Sequence, residues 1–112
     1  MHALIDKLRQ FAQERDWEQY HSPKNLAMAL SVEVAELVEH FQWLTQEESR
    51  NLSPEKREKI KEEIGDVLIY LVNLADKLGI DPVEAAHEKI EKNRMKYPVA
   101  KAKGNALKYS QY

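Results

Sequence analysis

Leu30-Ser31-Val32-Glu33-Val34-Ala35-Glu36-Leu37-Val38-Glu39-His40-Phe41 and Ile60-Lys61-Glu62-Glu63-Ile64-Gly65-Asp66-Val67-Leu68-Ile69-Tyr70-Leu71 decide the fold of this chain. In both strings and just beyond them the apolar residues recur three and four apart: Leu30, Val34, Leu37, Phe41 and Leu44 along the first, Ile60, Ile64, Val67, Leu71, Leu74 and Leu78 along the second. That is the period of an amphipathic helix, not of a strand. Each string also carries an acidic pair at i and i+3 beside its stripe, Glu33 with Glu36 and Glu63 with Asp66, so the members of a pair share one helix face.

Start and stop signals surround the two strings. Ser22-Pro23 and Ser53-Pro54 each place an N-cap residue before a proline at the first helical position. The first of these helices runs on to about Leu44, and the polar stretch Thr45 to Asn51 reads as a connection. The second ends at Gly79, with Ile80 placed for the apolar contact of a Schellman cap. Upstream, Leu4, Ile5, Leu8, Phe11 and Ala12 form one face of a helix over 2–20. Downstream, Asp81-Pro82-Val83-Glu84 opens a last helix with Glu84 at the capping-box position, and Pro98 stops it. Short connections make consecutive helices antiparallel neighbours, so the expectation is an all-α, four-helix bundle-like fold. Residues 1–98 then form one helical domain, and 99–112 a tail without clear period, either mobile or closing over the site. The helix over 23–44 is apolar around most of its circumference, because Val32, Ala35 and Val38 lie off the main stripe. A chain of this size cannot easily cover such a helix alone, which points to a homo-oligomer.

Folding the two central helices back about a turn near residues 49–50 brings Glu33 level with Asp66 and Glu36 level with Glu63. The four carboxylates then share one layer next to apolar side chains, where unpaired like charges are costly. A divalent cation removes that cost, and an all-oxygen donor set in a chain without cysteine suits Mg²⁺, or Mn²⁺. The same reasoning across Gly79 brings Lys89, Asn93 and Lys96 toward that layer as donors for phosphate oxygens. Trp17, Trp43 and Tyr70 are placed to sandwich a planar base.

Composition narrows the rest. A length of 112 residues fits one domain. The absence of cysteine excludes disulfides and thiol chemistry. A net charge of −2 gives no general drive toward nucleic acid. No apolar run approaches a membrane span, so no membrane association is expected. The residues after Met1 lack the features of a secretory signal, which makes the cytoplasm the expected location.

The residues resemble the MazG-like all-α nucleoside triphosphate pyrophosphohydrolases, and within them the dCTP pyrophosphatase type. The family pattern, ExxE followed after a spacer by ExxD, stands here as Glu33-Val34-Ala35-Glu36 and Glu63-Ile64-Gly65-Asp66. Arg15-Asp16-Trp17-Glu18-Gln19, His21-Ser22-Pro23-Lys24-Asn25-Leu26, Phe41-Gln42-Trp43, Lys89-Ile90-Glu91-Lys92-Asn93-Arg94 and Tyr97-Pro98 extend it over roughly residues 9–98. The resemblance implies Mg²⁺ on Glu33, Glu36, Glu63 and Asp66; the carboxylate not fully used by the metal, Glu36 or Glu63, is then expected to orient or deprotonate water. It implies base contacts from Trp17, Trp43, Tyr70 and His21, and phosphate contacts from Lys89, Asn93, Arg94, Lys96 and Tyr97. It also implies a dimer or dimer of dimers whose sites are completed by neighbouring subunits. The implied substrates are deoxynucleoside triphosphates, dCTP or a modified dCTP favoured and dATP allowed, split to the monophosphate and pyrophosphate in cleaning the nucleotide pool.

Two other readings compete. A di-iron carboxylate bundle needs E-x-x-H strings, and Glu18-Gln19-Tyr20-His21 and Glu84-Ala85-Ala86-His87 exist. His21, however, sits at a helix end, and His87 falls several residues from the level of Asp66. A non-enzymatic dimeric helical interaction module would leave the acidic pairs as surface decoration.

Overall fold

The structure, a computed structural model, describes residues 1–99 together with 103 and 104. Among the described residues it is all-helical: α1 (His2–Glu14), a 3₁₀ turn (Glu18–Tyr20), α2 (Pro23–Glu39), α3 (Gln46–Arg50), α4 (Pro54–Lys77) and α5 (Pro82–Lys96). The expected tail over 99–112 lies almost wholly outside the described residues. The described residues fall into two compact units, one over 1–80 and one beginning at Asp81.

The helix starts are those read from the sequence. Ser22 Oγ accepts from the Asn25 N–H and Ser53 Oγ from the Lys56 N–H, each at 3.1 Å, with Pro23 and Pro54 in the first turn. Helix α4 ends in the expected Schellman motif. Gly79, at φ +67°, is its left-handed residue, the Ile80 N–H donates to the Ala75 carbonyl at 2.8 Å, and the Gly79 N–H donates to Asp76 at 3.1 Å. In the second unit Asp81 Oδ1 accepts from the N–H groups of Val83 (2.9 Å) and Glu84 (3.1 Å). The reciprocal bond from the Glu84 side chain, the other half of the expected capping box, is not formed.

Three boundaries differ from the sequence expectation. Helix α1 stops at Glu14 instead of continuing to residue 20, because a second Schellman-type end forms there. The Trp17 N–H donates to the Ala12 carbonyl at 2.9 Å and the Asp16 N–H to Gln13 at 3.1 Å. Asp16 takes the left-handed position at φ +55°, where glycine is the usual residue, so no glycine marks the stop. Helix α2 ends at Glu39, and Phe41 and Leu44 follow in tight turns closed by Phe41 N–H to Val38 and Leu44 N–H to Phe41, both 2.9 Å. The polar stretch after it is a helix, α3, held by a full capping box. Thr45 Oγ1 accepts from the Glu48 N–H at 3.1 Å, while Glu48 Oε1 accepts from the Thr45 N–H at 2.9 Å.

Within the first unit α2 packs chiefly along α4, and α1 rests on α4. The buried core is small: Ala12, Leu26, Ile60, Val72 and Ala75. Ala12 and Ala75 let α1 approach α4 closely. Across the same seam Arg9 grips Asp76 with two bonds, Nη2 to Oδ1 at 2.6 Å and Nε to Oδ2 at 2.9 Å. That contact holds the Asp76 carboxyl below its ordinary range, with the Arg9 hydrogen bond as the main cause. Large apolar side chains are left facing outward, among them Val32 (55 % exposed) and Val38 (52 %) on α2 and Ile64 (55 %) on α4. No helix among the described residues is long and apolar enough to cross a membrane.

Candidate active site

The packing of α2 along α4 carries the two acidic pairs to one place. One carboxylate oxygen each from Glu33, Glu36 and Glu63 lie within 4.8 Å of one another. Oε2 of Glu33 and Oε2 of Glu63 are shielded from solvent and have no hydrogen-bond partner. The ion pairs of Arg9 with Asp76, Arg15 with Glu14, Arg50 with Glu47 and Arg94 with Glu91 do not involve these three carboxylates. Crowded and partly buried, Glu33 is pushed up to about 7, by burial first and then by Glu36, Asp66 and Glu63. Keeping a proton on Glu33 relieves the repulsion.

Orphaned, shielded carboxylate oxygens with no cation beside them are costly. Three carboxylates converging within one coordination sphere form the donor set of a hard divalent cation, which takes oxygen ligands and neutralises them together. Asp66, expected in the same layer, is more exposed; it stands close enough to raise Glu33 and faces the neighbouring cavity.

That cavity, of about 260 Å³, opens between α1, the segment after it and α4. Leu8, Ala12 and Ile69 make it apolar, Phe11, Trp17 and Tyr70 give it aromatic walls, and His21, Asp66 and Asn73 supply polar groups. Trp17 is held in place from behind. Its ring meets Phe11 edge-on at 5.6 Å between centroids, and the Arg15 guanidinium lies 3.7 Å from the centre of the Phe11 ring. The early end of α1 matters here, because the Schellman turn at Asp16 is what swings Trp17 back over Ala12. Asp66 and Tyr70, one turn apart on α4, join the acidic group to the aromatic cavity. A larger, more open hollow of about 500 Å³ lies between α3 and the start of α4, lined by Glu47, Glu48, Asn51 and Lys56 among others. It has no aromatic wall and begins two helical turns from Glu63, so the smaller cavity is the better candidate for a planar ligand.

Of the expected site residues the structure thus brings together Glu33, Glu36, Glu63 and Asp66, and sets Trp17, His21 and Tyr70 around the adjoining cavity. It does not bring Trp43 there. Trp43 lies in the turn after α2, 86 % exposed, and lines none of this cavity. Lys89, Asn93 and Arg94 lie on α5 in the second unit, with Arg94 Nε 3.5 Å from Glu91 Oε1. Lys96 is the last residue of that helix, and the N–H of Tyr97 closes it on the Asn93 carbonyl at 2.8 Å. Phe11 and Asn73 were not expected at the site. Asn73 was legible as the next position along the Asp66–Tyr70 face; Phe11 had been assigned wholly to the core stripe of α1.

Comparison with known proteins identifies relatives of the chain. The model of the MazG-like family matches residues 28–111. Curated relatives include dCTP pyrophosphatase 1 of Bos taurus, 48 % identical over 103 residues, and that of Homo sapiens, 46 % over 104. The alignments cover 90 % and 91 % of this chain, which spans about three fifths (61 %) of the length of either relative. The crystal structure of a pyrophosphatase from Archaeoglobus fulgidus superposes with a TM-score of 0.83 at 48 % identity, over 88 % of this chain and 92 % of that one.

Proposed function

Because this chain belongs to the MazG-like family, we propose that it is a nucleoside triphosphate pyrophosphohydrolase, dependent on Mg²⁺, that converts deoxynucleoside triphosphates to monophosphate and pyrophosphate. The observation that carries the reading is the junction at Asp66, which belongs both to the acidic group and to the wall of the aromatic cavity. A ligand with a planar ring at one end and oxyanions at the other fits such a junction. The dCTP pyrophosphatases among the relatives make dCTP or a modified dCTP the favoured substrate, and removal of unwanted nucleotides from the pool the role.

In this reading Glu33, Glu36, Glu63 and Asp66 hold the metal, with Mn²⁺ as the alternative ion. When bound, Mg²⁺ supplies positive charge at the triphosphate oxygens. Trp17 and Tyr70 stack the base, with His21 at its side. Glu36 or Glu63 keeps one oxygen for a water molecule, orients it toward the α-phosphorus and takes its proton. The water oxygen bonds to the α-phosphorus as the bond from that phosphorus to the bridging oxygen breaks, and pyrophosphate leaves with the electron pair. Lys89, Asn93, Arg94, Lys96 and Tyr97 are assigned to the phosphates.

Oligomerisation belongs to the same proposal. Val32, Val38 and Ile64 leave apolar surface that a second copy would cover, and Trp43 becomes a base contact if it reaches a neighbour's cavity. A dimer or dimer of dimers acting on free nucleotides in the cytoplasm, with no nucleic-acid partner, fits these features and the net charge of −2.

The test is Glu63→Gln, which keeps the shape of the side chain and removes its charge. Turnover should fall by about three orders of magnitude or more, the scale expected when the base and a metal ligand are lost together. Helical content should stay unchanged by circular dichroism. Near-normal rates in that variant sink the assignment.

A further inference from the structure

Asp66, Tyr70 and Asn73 follow one another along α4 at i, i+4 and i+7, and all three line the aromatic cavity. Seven residues at ~1.5 Å each set Asn73 about 10 Å along the helix from Asp66. The cavity therefore has an acidic end beside the carboxylate group and an amide end beyond the aromatic walls. Val72, 1 % exposed, and Ala75, also buried, flank Asn73 and fix the rotation of α4 about its axis. Among the described residues the Asn73 side-chain amide neither gives nor takes a hydrogen bond with the protein. A planar group that offers a donor and an acceptor side by side is thus left to whatever fills the cavity.

Resting on the function proposed above, we infer that Asn73 reads the edge of the base, hydrogen-bonding the exocyclic group at position 4 of a pyrimidine and the adjacent ring nitrogen. With the triphosphate anchored at the Asp66 end and the ring between Trp17 and Tyr70, the base edge points toward the amide end. Leu8 and Ile69, which also line the cavity, are apolar. An amide pairs with an amino or a keto group by turning over, and no protein group fixes its orientation. Asn73 therefore selects for a polar group at that position, and leaves the choice between amino and keto to other contacts.

The experiment is a chemical double-mutant cycle on the full chain. Binding of dCMP and of its analogue lacking the 4-amino group is measured calorimetrically, with Mg²⁺ present, for wild type and for Asn73→Ala. Dissociation constants are compared, and hydrolysis of dCTP by the wild type is followed in parallel. Wild type should lose about tenfold in affinity for the analogue, the scale of a base-edge hydrogen-bond pair. Asn73→Ala should bind dCMP at least as weakly as wild type binds the analogue, because it also loses the bond to the ring nitrogen, and should not distinguish the two ligands. If Asn73 is only a structural residue, both ligands weaken by the same factor in the variant and the preference for the amino group survives, which overturns the inference. Failure to bind dCMP at all also overturns it. Coupling between Asn73 and the 4-amino group without dCTP hydrolysis upholds the contact and refutes the hydrolase reading; hydrolysis without coupling does the reverse.

Discussion

Glu33→Gln is expected to make the metal-free protein more stable. Burial and the neighbouring carboxylates hold Glu33 at about 7, against an ordinary value of 4.5. Between those two values the folded state keeps a proton that the unfolded chain has released. Its stabilising effect is full below the unfolded value and is lost as pH rises through the folded one. Above about pH 7 the folded, metal-free protein must carry an ionised Glu33 beside its acidic neighbours. At about 1.4 kcal/mol per pKa unit the ceiling on that cost is about 3.5 kcal/mol. Partial exposure of the side chain reduces the figure to about 1–2 kcal/mol. The assay is thermal unfolding in EDTA at fixed protein concentration, from about pH 5 to 8.5. Wild type should lose stability across that range, while Glu33→Gln should be nearly flat and melt several degrees higher at the alkaline end. Adding Mg²⁺ should reverse the order, because wild type then has a full set of carboxylates to occupy and the variant does not. A variant less stable than wild type in EDTA at about pH 8, or a wild type indifferent to pH, refutes the account of the acidic group.

Two more expectations concern the frame that holds the site. Arg9→Ala should lower the melting temperature by a few degrees at neutral pH. The gap should close as pH falls through the depressed value of Asp76, since a depressed carboxyl contributes stability only above it; an unchanged gap in acid would show that Arg9 acts otherwise. Gly65 lies inside α4, and beyond its own helix backbone a methyl group added there meets none of the described residues within 4 Å. Gly65→Ala should therefore stabilise an isolated chain by about 1 kcal/mol. Destabilisation, read with the oligomeric state by light scattering, would show that another molecule lies against α4 at that point.

Most of what positions the site was legible in the sequence, for local reasons. Ser22-Pro23, Ser53-Pro54 and Gly79-Ile80 mark helix ends through short-range geometry, and each behaves as read. The matched spacing of Glu33–Glu36 and Glu63–Asp66 needed only two helices packed along each other to converge. What was not legible depended on a residue in an uncommon role. Asp16 adopts a left-handed conformation without being glycine, and so the end of α1 and the placement of Trp17 were hidden. The start of α3 was signalled by Thr45-x-x-Glu48, but the helix it opens is only five residues long and has no apolar stripe to reveal it. Phe11 was concealed because the α1 face read for packing also lines the cavity, whereas Asn73 was legible as the next position along the Asp66–Tyr70 face. Trp43, expected at the base, is instead 86 % exposed in the turn after α2, and only the proposed contact with a second copy would bring it to a cavity.

The central claim is tested most directly by pyrophosphate release from a panel of canonical and modified deoxynucleoside triphosphates, run with Mg²⁺ and with EDTA. The account predicts release of pyrophosphate and monophosphate in equal amounts, with dCTP or a modified dCTP fastest, and no release in EDTA. Absence of release from every triphosphate, or release of inorganic phosphate in place of pyrophosphate, would contradict it.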